Sequence, residues 1–293
     1  MSADTRISAA FQDALTLPLT DCSRYVLISD CHRGTGGTND NFARNEPLYL
    51  AALQYYNQRS FTYIELGDGD ELWENRSLKK IKEIHTASFR MLSRFYADAR
   101  LYALYGNHDL VKKNARFSEK QLCTFYCDHA QTEQPLCPGI HFYEGIILTD
   151  EKKKKDIYLT HGHQTDLLNS TFWKLSRFLV RYVWRPLEKL GIPDPTSAAK
   201  NNTRKKKSEE KLTRWAGGHD CLLITGHTHH PMIGTAASPY CNTGSCVHPS
   251  GITAIEIEHR CLTLVKWTVS ARSDLTLYAA REQLGKTVCL DDY

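Results

Sequence analysis

Five short apolar runs in this chain each end in a polar cluster built from Asp, Asn, His and Gly. The clusters read Asp-Cys-His, Gly-Asp, Gly-Asn-His-Asp, His-Gly-His and Gly-His-Thr-His, and they begin at Asp30, Gly67, Gly106, His161 and Gly226. Apolar runs of this length indicate buried strands. Because α/β enzymes place their sites at the carboxyl ends of strands, the pattern predicts an α/β fold in which distant residues meet at one sheet edge.

The first half of the chain alternates predicted strands and helices. We expect strands at 25–29, 61–66 and 101–104, and helices at 47–59 and 77–97. Such strand–helix units favour right-handed crossovers and parallel strands.

The second half of the chain is predicted to contain two hairpins and one further strand. The hairpins pair 146–149 with 157–160 and 252–258 with 261–268, and the further strand covers 222–225. A chain of 293 residues that is 41% hydrophobic can bury a sizeable core. We therefore expect residues 1–293 to form a single domain.

The clusters supply seven candidate metal ligands: Asp30, His32, Asp68, Asn107, His161, His227 and His229. Carboxylate, amide and imidazole groups suit divalent ions such as Mn²⁺, Fe²⁺ or Zn²⁺. Seven ligands are too many for one ion that keeps a free position, so the set predicts two ions that share one carboxylate. An isolated histidine such as His85 is interpreted instead as a surface residue or a satisfied core residue.

The motifs at 106–109 and 226–229, in this order and after these strands, resemble those of the calcineurin-like metallophosphoesterases. The resemblance extends from Tyr25 to about Thr268. It implies a four-layer α/β/β/α sandwich of two mixed sheets, with the site at their joined edge. It also implies a hydrolase of phosphate esters or pyrophosphates that uses two divalent ions, for which Mn²⁺ is the expected metal.

The resemblance implies a role for each residue of the clusters. One ion would be held by Asp30, His32, Asp68 and His229, and the other by Asp68, Asn107, His161 and His227. Asp68 would bridge the ions, and water activated between them would attack phosphorus in line. His108 would serve as general acid or charge stabiliser, oriented and charged by Asp109. Asp70 and Glu71 would support the ligands rather than bind metal.

Two further residues are candidate contacts for the substrate. Arg33 follows the first histidine ligand, where a guanidinium could pair with a phosphate. The alternative for Arg33 is a surface salt bridge. His163 could contact the substrate or support a metal ligand.

A basic, aromatic-rich segment interrupts the strand pattern, and we expect residues 169–215 to form a helical cap. Its apolar residues recur at helical spacing: Phe172, Leu175, Phe178, Leu179 and Tyr182. They are interleaved with cations at Lys174, Arg177, Arg181 and Arg185. Pro186 should end or kink the helix. One alternative is an ordinary amphipathic helix packed on the core; the other is a cap that meets an acylated, phosphorylated substrate or a bilayer surface.

The insert lies between the fourth and fifth metal motifs, which is similar to its place in the UDP-2,3-diacylglucosamine pyrophosphatases. That resemblance implies hydrolysis of a pyrophosphate or phosphodiester bond in a nucleotide- or lipid-linked substrate, such as a UDP-diacylglucosamine-like molecule. A broad-specificity phosphomonoesterase or a serine/threonine protein phosphatase is the alternative within the same class. A nucleic-acid-binding module is the alternative from a different class, but it would not need seven ligands, and we expect no nucleic-acid partner.

The composition bears on the cellular location. The chain has no run of about 18 apolar residues, and its first twenty residues lack a basic start followed by an apolar block. We therefore expect a cytoplasmic protein, either free or peripheral to the inner face of the membrane, whose oligomeric state the sequence leaves open. No pair among its ten cysteines has CxxC spacing, and we expect free thiols.

Overall fold

Two mixed β-sheets pack face to face, and helices cover both outer faces. The computed structural model describes residues 1–184 and 201–293. The α-helices are α1 (Ala3–Ala9), α2 (Glu46–Gln58), α3 (Leu78–Ile84), α4 (Thr86–Ala97), α5 (Ala115–Leu122), α6 (Leu167–Ser170), α7 (Trp173–Leu179) and α8 (Asn202–Gly218). A π-helical turn, Val180–Trp184, continues α7, and 3₁₀ helices span Leu110–Lys113, His163–Thr165 and Leu290–Asp292.

The strands follow one another along the whole chain. They are β1 (Leu15–Leu19), β2 (Arg24–Ile28), β3 (Thr62–Leu66), β4 (Leu101–Leu104), β5 (Thr124–Cys127), β6 (Thr132–Pro135), β7 (Phe142–Tyr143), β8 (Gly145–Asp150), β9 (Ile157–Thr160), β10 (Leu222–Thr225), β11 (Tyr240–Asn242), β12 (Ile252–Glu258), β13 (Cys261–Ala271), β14 (Leu277–Gln283) and β15 (Val288–Cys289).

The larger sheet has the strand order β14–β13–β12–β2–β3–β4–β7, with β15 beside β13. The smaller sheet has the order β1–β8–β9–β10–β11, and β5 and β6 form a separate hairpin. Strands β2, β3 and β4 are parallel, as predicted. The two predicted hairpins are present as the antiparallel pairs β8–β9 and β12–β13.

Alternation of side chains along β2 and β3 builds two separate cores. Val26 and Tyr63 face the layer that contains α2 and α4, whereas Leu27 and Ile64 face the smaller sheet. A third cluster, which includes Trp215 of α8, packs α1 and α8 on the outer face of the smaller sheet. The predicted four-layer α/β/β/α sandwich of two mixed sheets is therefore confirmed.

The helix predicted at 77–97 is interrupted at His85, which separates α3 from α4. His85 is fully buried, with its Nδ1 2.9 Å from Glu46 Oε2 and its Nε2 3.0 Å from Asp40 Oδ2. The prediction of one continuous helix was wrong because these tertiary bonds hold His85 at non-helical dihedral angles, φ −104° and ψ 36°. The interpretation of His85 as a satisfied core residue is confirmed.

Apolar side chains of the predicted cap face solvent. Phe172, Leu175, Phe178 and Tyr182 are 53%, 54%, 55% and 49% exposed. These four side chains therefore do not pack on the core, whereas Leu179 is half-buried. The predicted roles of Arg185 and Pro186 lie outside the described residues. In the part of the chain that is described, no helix is both long and apolar enough to cross a bilayer.

One pair of cysteines departs from the expectation of free thiols. Cys261 and Cys289 form a disulfide between the paired strands β13 and β15, and the other eight cysteines are free. The expectation was wrong for this pair because the short strand β15 brings Cys289 back beside Cys261 from 28 residues away.

Candidate metal centre

The carboxyl ends of β2, β3 and β4 in the larger sheet meet those of β9 and β10 in the smaller sheet. His161, at the end of β9, donates from Nδ1 to the carbonyl oxygen of Leu66 at 2.8 Å. The backbone N–H of His227 donates to Asp30 Oδ2 at 2.9 Å. These bonds join the two sheets, and around them lie the ends of all five strands for which polar clusters were predicted.

Tight turns after the strands direct the side chains toward one another. Five predicted ligands have φ between 48° and 67°: Asp30, His32, Asp68, His227 and His229. Residues other than glycine rarely adopt this left-handed region, and each such conformation costs roughly 1–3 kcal/mol. The turns also approach closely, since a Cβ atom on Gly106 would collide with the carboxylate of Asp68. This concentration of strained residues is typical of functional sites.

The predicted ligands form two of the three clusters of possible ligand side chains at this centre, and each of the two could hold a divalent ion. Ligand atoms lie within 4.8 Å of one another in the first group, Asp30, His32 and His229, and in the second group, Asp68, His161 and His227. In the first group, His229 Nε2 lies 3.0 Å from Asp30 Oδ1. In the second, His161 Nε2 lies 3.1 Å from Asp68 Oδ2. His32 Nε2 lies 3.7 Å from the same Asp68 oxygen, so Asp68 adjoins both groups.

Two buried ligand atoms at this centre, Asn107 Oδ1 and His227 Nε2, have no hydrogen-bond partner within the described residues. Asp30 Oδ1 and His161 Nε2 lie 3.0 and 3.1 Å from other ligand atoms, His229 Nε2 and Asp68 Oδ2. Buried polar atoms are rarely left unpaired in folded proteins. The other polar atoms of two of these ligands are engaged, since Asp30 Oδ2 accepts from the backbone N–H of His227 and His161 Nδ1 donates to the carbonyl oxygen of Leu66. The free lone pairs on oxygen and nitrogen therefore fit divalent metal ions, which such ligands bind.

Asp68 and His227 have the charge states that metal ions bind. Burial opposes ionisation of Asp68, yet the charges of His161 and His108 hold the pKa of its carboxyl well below the usual range. Burial and the neighbouring charge of His161 lower the pKa of His227 to about 3. Metal ligands must be deprotonated, so a carboxylate and a neutral imidazole are the forms that an ion requires. In contrast, burial is outweighed at His32 and His161 by hydrogen bonds and charges of neighbouring carboxylates, which raise the pKa of His32 well above its usual value and that of His161 to about 9, so an ion would displace their protons.

Glu71 contacts two histidines of the site. Its Oε2 lies 2.9 Å from His32 Nδ1 and 2.7 Å from His108 Nδ1. The indole of Trp73 stacks on the His108 ring, with the ring centroids 4.4 Å apart. Burial lowers the pKa of His108, but the charges of Glu71 and Asp68 outweigh burial and raise it above its usual value. Glu71 therefore orients His108 and favours its protonated form.

From the sequence we expected Glu71 only to support the ligands and Asp109 to orient His108. In the structure Asp109 accepts hydrogen bonds from the backbone N–H groups of Gly69 at 3.1 Å and Gly106 at 2.8 Å, and from Lys112 Nζ at 2.7 Å. Its carboxylate joins the turns after β3 and β4. The predicted contact with His108 is corrected, because Glu71 makes that contact instead.

Arg33 is buried, with 1% of its surface exposed. Its Nε donates to Asp70 Oδ1 at 2.8 Å, and its Nη1 and Nη2 donate to Glu65 at 2.8 and 3.0 Å. Lys112 Nζ lies 2.7 Å from the other oxygen of Asp70. The predicted contact of Arg33 with a substrate phosphate is corrected to a buried salt bridge, because the guanidinium is buried and donates to Glu65 and Asp70.

His163 lies beside the second ligand group, with its ring centroid 5.5 Å from that of His161. It is 2% exposed, and its Nδ1 makes no hydrogen bond within the described residues. Burial, followed by the charges of His161 and His227, lowers the pKa of His163 well below its usual value. His163 lines an open cleft of about 530 Å³ whose wall includes Tyr105, Lys113, Glu144, Trp173 and Lys174.

Comparisons with known proteins bear on the motifs and on the fold. A sequence model described as calcineurin-like phosphoesterase matches residues 23–231. A search of curated proteins gave no significant match. Similar solved structures include Vps29 from Chaetomium thermophilum, with a TM-score of 0.45 and 11% identity over 92% of this chain and 98% of that chain. They also include a cold-active protein tyrosine phosphatase, with a TM-score of 0.40 and 13% identity over 94% of this chain and 82% of that chain.

Proposed function

The chain belongs to the calcineurin-like phosphoesterase family, and on that premise we propose that it hydrolyses a phosphodiester or pyrophosphate bond with two divalent metal ions. The observation that carries the proposal is the pair of ligand groups that adjoin at Asp68. The unpaired atoms of Asn107 and His227 support an ion in the second group, and the close contact of His229 with Asp30 supports one in the first. Mn²⁺ is the metal that we expect, and Fe²⁺ and Zn²⁺ suit the same ligands.

In this proposal each ion has its own ligands and shares Asp68. The first ion would be held by Asp30, His32, Asp68 and His229, and the second by Asp68, Asn107, His161 and His227. When bound, the two ions would polarise the phosphate of the substrate and activate a water molecule for attack on phosphorus. The backbone N–H of His108 holds Asp68 Oδ1, and this bond keeps Oδ2 directed at the histidines of both groups.

His108 would donate a proton to the leaving oxygen. Its Nδ1 is paired with Glu71, which leaves Nε2 to face the substrate. Its side chain is 22% exposed, so a bound ester can reach it. The stacked ring of Trp73 restricts rotation of the imidazole. An acid held in this way contributes typically ~10²–10⁴-fold to the rate.

The surroundings of the centre favour a substrate larger than a simple phosphate ester. The cleft beside His163 carries two cations, Lys113 and Lys174, which could bind a second phosphate. The exposed apolar side chains of Phe172 and Phe178 could contact an acyl chain. Both features support a nucleotide- or lipid-linked pyrophosphate as the substrate, such as a UDP-diacylglucosamine-like molecule.

An activity screen on the metal-reconstituted protein tests this proposal. The substrates would be p-nitrophenyl phosphate, bis(p-nitrophenyl) phosphate, a UDP-sugar and a UDP-diacylglucosamine-like lipid. We expect Mn²⁺-dependent hydrolysis of diesters and pyrophosphates, with the lipid-linked substrate giving the highest kcat/KM. Asp68→Asn and chelator-treated protein are the controls. A preference for monoesters would favour the phosphomonoesterase or protein phosphatase alternative, and no hydrolysis with any metal would reject the proposal.

A further inference from the structure

Arg181, in the π-helical turn of the predicted cap, holds the turn that carries Glu71. Its Nε donates to the carbonyl oxygen of Trp73 at 2.7 Å, and its Nη2 donates to those of Leu72 at 2.7 Å and Asn75 at 3.3 Å. A guanidinium is suited to this task because it presents several N–H donors in a rigid, planar fork. Residues 71–75, which we name the Glu71 turn, are thus fixed from outside by one side chain.

Hydrogen bonds within the Glu71 turn connect its backbone to the carboxylate of Glu71. Glu71 Oε1 accepts from the backbone N–H groups of Trp73 and Glu74, each at 3.1 Å. The side chain of Asn75 donates to the carbonyl oxygen of Glu71 at 3.0 Å. A shift of the turn would therefore move the Glu71 carboxylate and the Trp73 indole together. These two groups make the ion pair and the stacking contact of His108.

We propose that Arg181 is a positioning residue through which the cap sets the orientation of His108. This inference rests on the proposed function, because His108 needs a leaving group to which it can donate a proton. Arg181 lies next to Tyr182, whose ring is 4.9 Å from that of Phe178 on the exposed apolar face of the cap. A substrate that contacts this face would therefore steady the same turn that aligns the proton donor, which links substrate capture to catalysis.

The test compares Arg181→Met with Arg177→Met, a matched change at the neighbouring arginine, whose guanidinium lies 4.9 Å over the ring of Trp173. The Mn²⁺-saturated enzyme would be assayed with small phosphodiesters whose leaving groups span a range of pKa. We expect Arg181→Met to lower kcat about tenfold for an alkanol leaving group, a fraction of the ~10²–10⁴-fold effect of an acid. For a nitrophenolate kcat should fall by about twofold or less, and KM should hardly change. Arg181→Lys should be intermediate, and Arg177→Met should keep the parent's leaving-group dependence.

An equal loss of kcat for all leaving groups would overturn the inference, and so would a change confined to KM. If Arg181→Met does not fold, Arg181→Lys decides the matter, and a parent-like leaving-group dependence in that variant would overturn the inference.

A second measurement does not depend on turnover. The ring resonances of His108 in NMR spectra of the Zn²⁺-loaded protein should shift in Arg181→Met and stay unchanged in Arg177→Met. Unchanged resonances in both variants would reject the role of Arg181. The NMR comparison tests the role of Arg181 even if the parent hydrolyses no diester. That result would reject the proposed function but not the contact between Arg181 and the Glu71 turn.

Discussion

Replacing Glu71 by Gln should lower kcat. The loss should be larger for substrates whose leaving group needs a proton from His108. The substitution keeps the shape of the side chain and removes the negative charge that pairs with His32 and His108. Without that charge, the imidazole of His108 loses the interaction that favours its protonated form and holds its Nδ1. The loss should therefore be large for substrates with poor leaving groups and small for those with good ones.

The size of the effect follows from the two contacts. Separations of 2.7 and 2.9 Å are typical of charge-assisted hydrogen bonds. Such bonds are worth about 1.5–3 kcal/mol each. Since 1.4 kcal/mol corresponds to a factor of ten, the loss at His108 should lower kcat by roughly 10- to 100-fold for an alkanol leaving group. The contact with His32 should act separately, because the loss of a group that supports a metal ligand typically weakens metal binding by ~10–100-fold.

The assay measures kcat over a Mn²⁺ titration, with an alkyl diester and a nitrophenyl diester as substrates. Glu119→Gln is the control, because Glu119 is an exposed residue of α5. Saturating Mn²⁺ should restore the kcat that is lost through weaker metal binding at His32. It should not restore the kcat that is lost through His108. If saturating metal restores full kcat for the alkyl diester, Glu71 does not act through His108 and the reasoning is wrong.

Three further predictions concern buried charge and the cap. Arg33→Met should lower the free energy of unfolding by about 3–5 kcal/mol, measured in urea, because it leaves the buried carboxylate of Glu65 without its cation and Asp70 with Lys112 alone; a raised KM at unchanged stability would contradict this. The pKa of His85 is raised to about 9 in the folded state, so His85 stabilises the fold fully below pH 6.5 and loses this effect as pH rises through 9. The stability difference from His85→Gln should therefore be about 3 kcal/mol at pH 6 and near zero at pH 10, and a pH-independent difference would refute the assignment. Replacing Phe178 and Tyr182 by Ala should raise KM for an acylated substrate and spare a small diester at unchanged Tm, whereas an equal loss for both substrates would show that these side chains do not contact the acyl chain.

The strands and the position of the site could be predicted because their signals are local. An apolar run followed by a polar cluster occupies fewer than ten residues. Each such run forms a strand whose carboxyl end lies at the candidate metal centre. The edge strands were missed for equally local reasons. β1 contains Pro18, which is unusual within a strand, and β7 has only two residues.

The roles of charged residues could not be predicted in the same way, because their partners are distant in sequence. Arg33 pairs with Glu65 and Asp70, which lie 32 and 37 residues away. Its burial depends on how β3 and the following turn pack, and no neighbouring residue reveals this. The same holds for Glu71 and His108, which are 37 residues apart. The position of Glu71 three residues after Asp68 was the only sequence signal available.

Metal stoichiometry tests the proposed binuclear centre. The purified protein would be stripped with a chelator, reconstituted with excess Mn²⁺, passed through a desalting column and measured by elemental analysis. The account predicts two ions per chain in the parent and a loss of both in Asp68→Ala, because Asp68 adjoins both ligand groups. A parent that binds at most one ion while fully active, or an Asp68→Ala variant that keeps two ions and parental activity, would contradict the shared binuclear centre.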